Sequence, residues 1–131
     1  ALDEYQGLCR NLHGHSYKLF VTIIGDYSQT KENNDSGMVL DFKSIKEIVE
    51  KNVIQEFDHA VVLCKKSSFA SALKQTNTKL ILFDNQPTCE NLIMEFHKRI
   101  SSILPNGIKL ARLQLHETAT SFAEWLIEDN E

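Results

Sequence analysis

A thiol and two imidazoles lie close together near the start of this 131-residue sequence. Cys9 stands four residues ahead of the triplet His13-Gly14-His15. If the two histidines lie on an extended strand, they point to the same side, with Cα atoms about 6.6 Å apart. Two imidazoles at that separation can share one metal ion, and zinc accepts such ligands. The alternative is a polar surface pair, because a short motif of this kind has little specificity alone.

Cys9 is a candidate nucleophile or base. A thiol has an ordinary pKa of about 8.5, and a nearby zinc ion or protonated histidine favours the thiolate. The alternative is an unreactive loop cysteine, which is also our interpretation of Cys64 and Cys89. The first turn of a predicted helix holds Cys89, a position that can acidify a thiol, but the sequence offers it no partner.

Three more residues are candidates for acid–base chemistry or ligand binding. Asp58-His59 can form a pair in which the carboxylate fixes the tautomer of the imidazole, although a solvated turn is an equal alternative. Glu117 ends a predicted strand beside an apolar face, where a carboxylate can accept paired N–H donors or simply point into water. By spacing alone, either His59 or His116 can complete a metal site, whereas His97 is predicted to be a surface residue.

The rest of the sequence predicts two pairs of strands and two helices. Alternating or β-branched runs predict strands at Tyr17–Gly25, Met38–Leu40, Ile108–Glu117 and Ser121–Ile127. Asp41 and Thr88 are predicted helix N-caps, the first helix ending around Gln55 and the second before Pro105. Helical spacing predicts an apolar face for each helix: Phe42, Ile45, Ile48, Val49 and Val53 in the first, and Leu92, Ile93, Phe96, Ile100, Ile103 and Leu104 in the second. Residues 26–37 are predicted to be a loop. This order favours an α+β domain with an antiparallel sheet and its helices on one face.

Finer predictions concern the middle of the chain and one strand. Cys64–Thr78 has no clear period and predicts a loop with some local helix, between a short apolar run and a brief extended segment at 79–83. In the strand that begins at Ile108, strict alternation places Leu113, Leu115 and Glu117 on one face and Leu110 on the other.

Composition limits the class of protein. Hydrophobic residues make up 42% and charged residues 24% of the chain, which is typical of one globular domain spanning residues 1–131. The net charge of −4 argues against a nucleic-acid partner, and no apolar run approaches the roughly 20 residues of a membrane span. Three cysteines without a disulfide spacing favour free thiols in the cytoplasm. Because the chain starts at Ala1, we expect its extreme N-terminus to be missing.

Five motifs in this order resemble the 6-pyruvoyltetrahydropterin synthase / 6-carboxytetrahydropterin synthase family. They are Cys9-x-x-x-His13-Gly14-His15-x-Tyr17, Met38-Val39-Leu40-Asp41-Phe42, Phe57-Asp58-His59, Pro87-Thr88-x-Glu90-Asn91 and Glu117-Thr118. The resemblance implies the tunnelling fold (T-fold), a four-stranded antiparallel sheet with two helices on one face. It also implies a homo-oligomer, a trimer or a hexamer, whose sheets close a barrel and whose active sites lie at subunit interfaces.

The resemblance also implies roles for individual residues. His13 and His15 become ligands of Zn²⁺, with a third histidine expected upstream of Ala1. Cys9 becomes the base that takes a proton from the substrate. The remaining residues of the implied site are the relay partners Asp58 and His59, the pterin anchor Glu117, and two residues that line the pterin pocket, Thr88 and Thr118.

The implied reaction is the zinc-dependent conversion of 7,8-dihydroneopterin triphosphate to 6-carboxy-5,6,7,8-tetrahydropterin, acetaldehyde and triphosphate, which serves queuosine biosynthesis. Three residues between Cys9 and His13 resemble the bacterial 6-carboxy group, and Cys9 argues against a folate-pathway group that has glutamate there. The alternatives are the 6-pyruvoyl product, a pterin-binding T-fold protein without turnover, and an unrelated small zinc hydrolase.

Overall fold

The computed structural model describes residues 1–25 and 38–130. An antiparallel sheet, a parallel strand pair and four α-helices make up most of the described chain. The strands are β1 (Lys18–Gly25), β2 (Val61–Cys64), β3 (Leu80–Phe83), β4 (Ile108–His116) and β5 (Phe122–Leu126). The helices are α1 (Phe42–Val49), α2 (Gln55–Phe57), α3 (Ser68–Lys74) and α4 (Cys89–Ser101), and a π-helical segment (Glu50–Ile54) joins α1 to α2.

Helix α4 packs against β4 and β5 of the antiparallel sheet, in which β4 lies between β1 and β5. The apolar face predicted for this helix is confirmed, because four of its predicted side chains are buried. The buried cluster is Val53, Cys89, Leu92, Ile93, Phe96, Ile100, Leu110, Leu113, Leu115, Ala123 and Trp125. Burial of this apolar surface is the main contribution to the stability of the fold.

A β-bulge in β4 changes which side chains enter this core. Thr22 of β1 pairs with Arg112, but the next residue, Ile23, pairs with Leu110, so that Ala111 is the extra residue. A bulge shifts the alternation by one residue. Leu110 is therefore 3% exposed and belongs to the core, whereas strict alternation placed it on the face opposite Leu113.

The described residues form a sheet of three strands, so the predicted fourth strand at Met38–Leu40 is wrong. The side chain of Val39 packs over Gly25 at the end of β1, and any Cβ at Gly25 would collide with it. This part of the chain therefore meets β1 through a side-chain contact and adds no strand to the sheet. The loop predicted for residues 26–37 lies outside the described residues.

Both predicted helix caps are confirmed. The Asp41 carboxylate accepts a hydrogen bond from the Lys43 amide at 3.2 Å, and the Thr88 hydroxyl accepts one from the Asn91 amide at 3.2 Å. The first helical region continues past its predicted end at Gln55, through the π-helical segment and α2. Phe42 was predicted to lie on the apolar face, but it precedes the part of the helix that reaches the core and is 81% exposed.

A β–α–β crossover occupies the middle of the chain. Strands β2 and β3 pair in parallel, with Val61 opposite Leu80, and α3 lies on the connection between them. The extended segment at 79–83 and some local helix were predicted from the sequence, whereas the apolar run that forms β2 was not assigned to a strand and the pairing was missed. Within the described residues, no helix has the length and apolar character needed to cross a membrane.

Candidate active site

Most of the predicted site residues line one cavity of about 750 Å³. Its floor is apolar and includes side chains from β1, β4, α2 and α4. Its functional groups come from four separate parts of the chain: Cys9, His13, His15, Asp58, His59, Thr88 and Glu117. The fold therefore brings together residues that are far apart in the sequence, and it does so within a single chain.

The two histidines approach each other just before β1 begins. Their ring centroids are 5.0 Å apart, with the rings nearly perpendicular. The Nδ1 atom of His13 donates a hydrogen bond to the Asn11 carbonyl oxygen at 2.7 Å, since a carbonyl can only accept. That bond leaves Nε2 of His13 with a free lone pair, which is the arrangement that second-sphere carbonyls impose on metal-binding histidines.

Asp58 and His59 form the predicted pair. The Nδ1 atom of His59 lies 2.8 Å from Oδ1 of Asp58, which fixes the ring and leaves Nε2 available. His59 has a φ of 56°, a left-handed conformation that is uncommon outside glycine and recurs at functional sites. Its side chain is 90% exposed, so the pair lies at the rim of the cavity.

Two basic side chains hold the end of α2, from which this pair extends. Lys79 Nζ donates to the carbonyl oxygens of Gln55 at 2.6 Å and of Asp58 at 2.9 Å. Arg99 of α4 forms an ion pair with Glu56, and its guanidinium also lies 5.0 Å from the ring of Phe57. The Lys79 bonds satisfy carbonyl groups that a helix end leaves unpaired, and together with the Arg99 contacts they fix where Asp58 leaves the helix.

Glu117 follows β4 directly and is partly buried. Its amide donates to the Ser121 carbonyl oxygen at 3.0 Å, which continues the pairing of β4 and β5 by one residue. Desolvation, with a smaller contribution from the charge of Glu117, raises the pKa of Tyr17 to about 12. Tyr17 therefore stays protonated beside Glu117 and lines the same cavity.

Sequence reasoning did not assign a role to Tyr17, although a signal was present. It stands two residues after His15, the spacing that places side chains on the same side of an extended chain. The two rings do meet edge to face, with centroids 5.7 Å apart.

The other predicted residues have varied positions. The Thr118 hydroxyl accepts hydrogen bonds from the amides of Thr120 and Ser121 in the β4–β5 turn, and Thr118 does not line the cavity. His116 also lies outside the cavity and stacks on Phe122 at 4.7 Å. His97 was predicted to lie on the surface, but its ring packs on that of Trp125 with the ring centroids 4.1 Å apart, and burial lowers its pKa.

Cys89 does not have the acidified thiol that its position in a helix first turn can produce. It is buried, its Sγ donates to the Leu115 carbonyl oxygen at 3.2 Å, and burial raises its pKa. Desolvation of a thiolate outweighs the helix dipole at this position. Cys64 is also buried, so Cys9 is the most accessible of the three free thiols.

The donor set of the cavity fits two positions of a zinc site. In residues 1–25 and 38–130, no three side chains of His, Cys, Asp or Glu are close enough to hold one metal ion together. His13 and His15 supply two neighbouring imidazoles, one with its tautomer fixed. Catalytic zinc ordinarily has three protein ligands.

Comparison with known proteins agrees with this geometry. The sequence model of the family described as 6-pyruvoyl tetrahydropterin synthase matches residues 1–128. The 6-carboxy-5,6,7,8-tetrahydropterin synthase of Haemophilus influenzae is 34% identical over 128 residues, covering 95% of this chain and 88% of that protein. The protein of the same name from Aquifex aeolicus is 35% identical over 127 residues, which cover 89% of this chain and 75% of the Aquifex protein.

A solved structure supports the fold independently. The crystal structure of an uncharacterized protein from Wolinella succinogenes matches 90% of this chain and 80% of its own, with a TM-score of 0.70 and 20% sequence identity. At that identity the match concerns the fold only. The family model and the relatives above 30% identity carry the assignment, and the chain belongs to the 6-pyruvoyl tetrahydropterin synthase family.

Proposed function

We propose that this protein converts 7,8-dihydroneopterin triphosphate and water to 6-carboxy-5,6,7,8-tetrahydropterin, acetaldehyde and triphosphate, and so serves queuosine biosynthesis. The observation that carries the proposal is the single cavity in which Cys9, the histidine pair, Asp58-His59 and Glu117 meet. The names of the relatives favour the 6-carboxy product over the 6-pyruvoyl product.

Substrate binding depends on Glu117 and the apolar floor. A carboxylate can accept two parallel N–H bonds from the amino group and ring nitrogen of a pterin. Apolar side chains such as Leu19 and Phe57 offer a surface for the ring system. A cavity of about 750 Å³ lies within the usual range for sites that enclose a small ligand.

Proton transfer is assigned to Cys9 and His59. The Cys9 thiolate removes a proton from the side-chain carbon of the substrate, and His59 exchanges protons through its free Nε2 while Asp58 holds Nδ1. His13 and His15 would hold Zn²⁺ together with a third donor. Zinc, when bound, is a Lewis acid that lowers the pKa of coordinated hydroxyl groups.

A homo-oligomer, a trimer or a hexamer, is part of this proposal. The side chains of His59 and Asp58 are 90% and 63% exposed, which is unusual for an acid–base pair that must exclude bulk water. A neighbouring copy over this rim would provide that exclusion. Light scattering coupled to gel filtration gives the molar mass directly.

The deciding experiment is incubation of the zinc-loaded full-length protein with 7,8-dihydroneopterin triphosphate, followed by mass spectrometry of the products. We expect the 6-carboxy product together with acetaldehyde and triphosphate. A 6-pyruvoyl product without acetaldehyde would replace the proposed reaction with its alternative. Unchanged substrate that is nevertheless bound would indicate a pterin-binding protein without turnover.

Zinc binding has its own test. The double variant His13→Ala/His15→Ala should lose the bound metal, as measured by elemental analysis of purified protein. His116→Ala is the matched control, since that histidine lies outside the cavity. Equal zinc content in the two variants would place the metal elsewhere.

A further inference from the structure

We propose that Asp3 is a positioning residue that holds Cys9 in the cavity by binding the start of α3. The inference deepens the proposed function and relies on it for the role of Cys9. It also gives a function to the Cys64–Thr78 stretch, whose helix has no residue in the cavity.

Asp3 reaches across the molecule to two serines that lie more than sixty residues later in the sequence. Its Oδ1 accepts from the Ser67 hydroxyl at 2.8 Å. Its Oδ2 accepts from the Ser68 amide at 2.9 Å and from the Ser68 hydroxyl at 2.8 Å. Ser67 is 7% exposed, so one of the three bonds is shielded from water.

The hydrogen bonds from Ser67 and Ser68 stabilise the ionised form of the Asp3 side chain. Hydrogen bonds from Ser68, supported by that from Ser67, lower the pKa of Asp3. Hydrogen bonds to an ionised acceptor are stronger than those between neutral groups. Three such bonds on one side chain are a specific attachment of the N-terminal segment, in contrast to the loose surface contact that a polar lead-in would make.

This attachment reaches the reactive thiol through one more hydrogen bond. The amide of Leu2 donates to the carbonyl oxygen of Cys9 at 2.8 Å. The 3₁₀ turn that contains Cys9 (Leu8–Arg10) is thereby joined to the residue next to Asp3. Ala1, Leu2 and Cys9 all line the cavity, so the segment fixed by Asp3 is part of its wall.

Release of Asp3 should therefore move Cys9 without moving Glu117, which continues directly from the buried strand β4. A small displacement of a reacting group can lower a rate by about 100-fold. We expect Asp3→Ala to reduce kcat by about tenfold or more, since it removes all three hydrogen bonds that hold this segment in place. KM should stay within about twofold, because the ring anchor is retained.

A chemical readout that needs no substrate tests the same point. Alkylation of Cys9 by N-ethylmaleimide, followed by peptide mapping, should be about tenfold faster in Asp3→Ala as local opening exposes the thiol. Ser68→Ala removes only the hydroxyl bond and should show a smaller increase in the same direction. Because Asp3 and Ser68 act together, the double variant should react no faster than Asp3→Ala.

Two matched controls are available. Glu4→Ala removes the neighbouring carboxylate, which is exposed, and Ser71→Ala removes an exposed hydroxyl from α3 itself. Both should alkylate at the wild-type rate. The proposal is wrong if Asp3→Ala also behaves like these controls in alkylation and kcat. If Asp3→Ala fails to fold, Ser68→Ala decides by the same comparison.

The two proposals can fail separately. A wild-type protein without synthase activity would contradict the proposed function, whereas the alkylation series would still show whether Asp3 positions Cys9. An active enzyme in which Asp3→Ala changes neither readout would remove the positioning role alone.

Discussion

The two walls of the cavity are built in different ways. Glu117 continues from β4, whose neighbouring residues Leu113 and Leu115 are 0% and 1% exposed. Cys9 and the two histidines instead lie on an irregular segment without buried residues, held by a few hydrogen bonds such as those of Asp3. Under the proposed function, ligand recognition by Glu117 lies on the rigid core, while the proposed chemistry depends on a segment that a few polar contacts position.

The Asp58-His59 corner is intermediate between these walls. It extends from a helix end that Lys79 and Arg99 fix through charged groups, but its own side chains are exposed. The following predictions use binding, activity and unfolding measurements to test ligand recognition, chemistry and stability of the fold separately.

Cys9→Ala should have the largest effect on activity. Loss of the base should lower kcat by about 10²–10⁴-fold while pterin binding, measured by fluorescence titration, stays close to that of the wild type. Cys64→Ala is the control, since that thiol is buried outside the cavity. Equal activity of the two variants would remove Cys9 from the mechanism.

Leu113→Ala should have the largest effect on stability. Truncation of a fully buried leucine in the sheet leaves a cavity and should lower the free energy of unfolding by about 2–5 kcal/mol. Thr22→Ala, on the exposed face of β1, should cost less than about 1 kcal/mol. Urea denaturation measures both. Similar losses of unfolding free energy in the two variants would contradict a core centred on β4.

Glu117→Gln should weaken recognition more than chemistry. Loss of a charged acceptor should raise the Kd for a pterin by about 10–100-fold. Glu124→Gln serves as the control, because Glu124 pairs with Arg112 outside the cavity. Unchanged affinity in Glu117→Gln would exclude the anchor and with it the division between the two walls.

His59→Gly should separate activity from stability. Activity should fall because the acid–base imidazole is lost, while the left-handed backbone at φ 56° is relieved. We expect the free energy of unfolding to change little, with a gain of at most about 1 kcal/mol. A variant that is both fully active and less stable would show that His59 has only a structural role.

Tyr17 should give the smallest effect, visible only in a pH titration. Its pKa is raised to about 12, so the folded protein holds this proton more tightly than the unfolded chain does. Its contribution to stability is complete below the ordinary pKa of about 10 and is lost as pH rises toward 12. Ultraviolet titration should show a late component that Tyr17→Phe removes; its persistence in that variant would contradict the assignment.

Local interactions made much of the fold predictable. The caps at Asp41 and Thr88 depend on hydrogen bonds within three residues, and both were found where the sequence predicted them. The apolar period of α4 and the strands β1, β4 and β5 were also predicted correctly. The predicted fourth strand failed because its evidence was three apolar residues, too few to distinguish a ladder from a side-chain contact.

The sequence alone determined the chemistry that is available: a thiol close to a histidine pair, an Asp-His pair and a late carboxylate, in an order that matches one family. Tertiary structure alone decided which of these groups meet. It also decided that a bulge at Ala111 brings Leu110 into the core. Likewise, only the tertiary structure shows that Asp3 binds Ser67 and Ser68, which follow it by 64 and 65 residues. Residue patterns predict interactions between near neighbours along the chain. Contacts between distant segments depend on how the whole core packs, which these patterns do not specify.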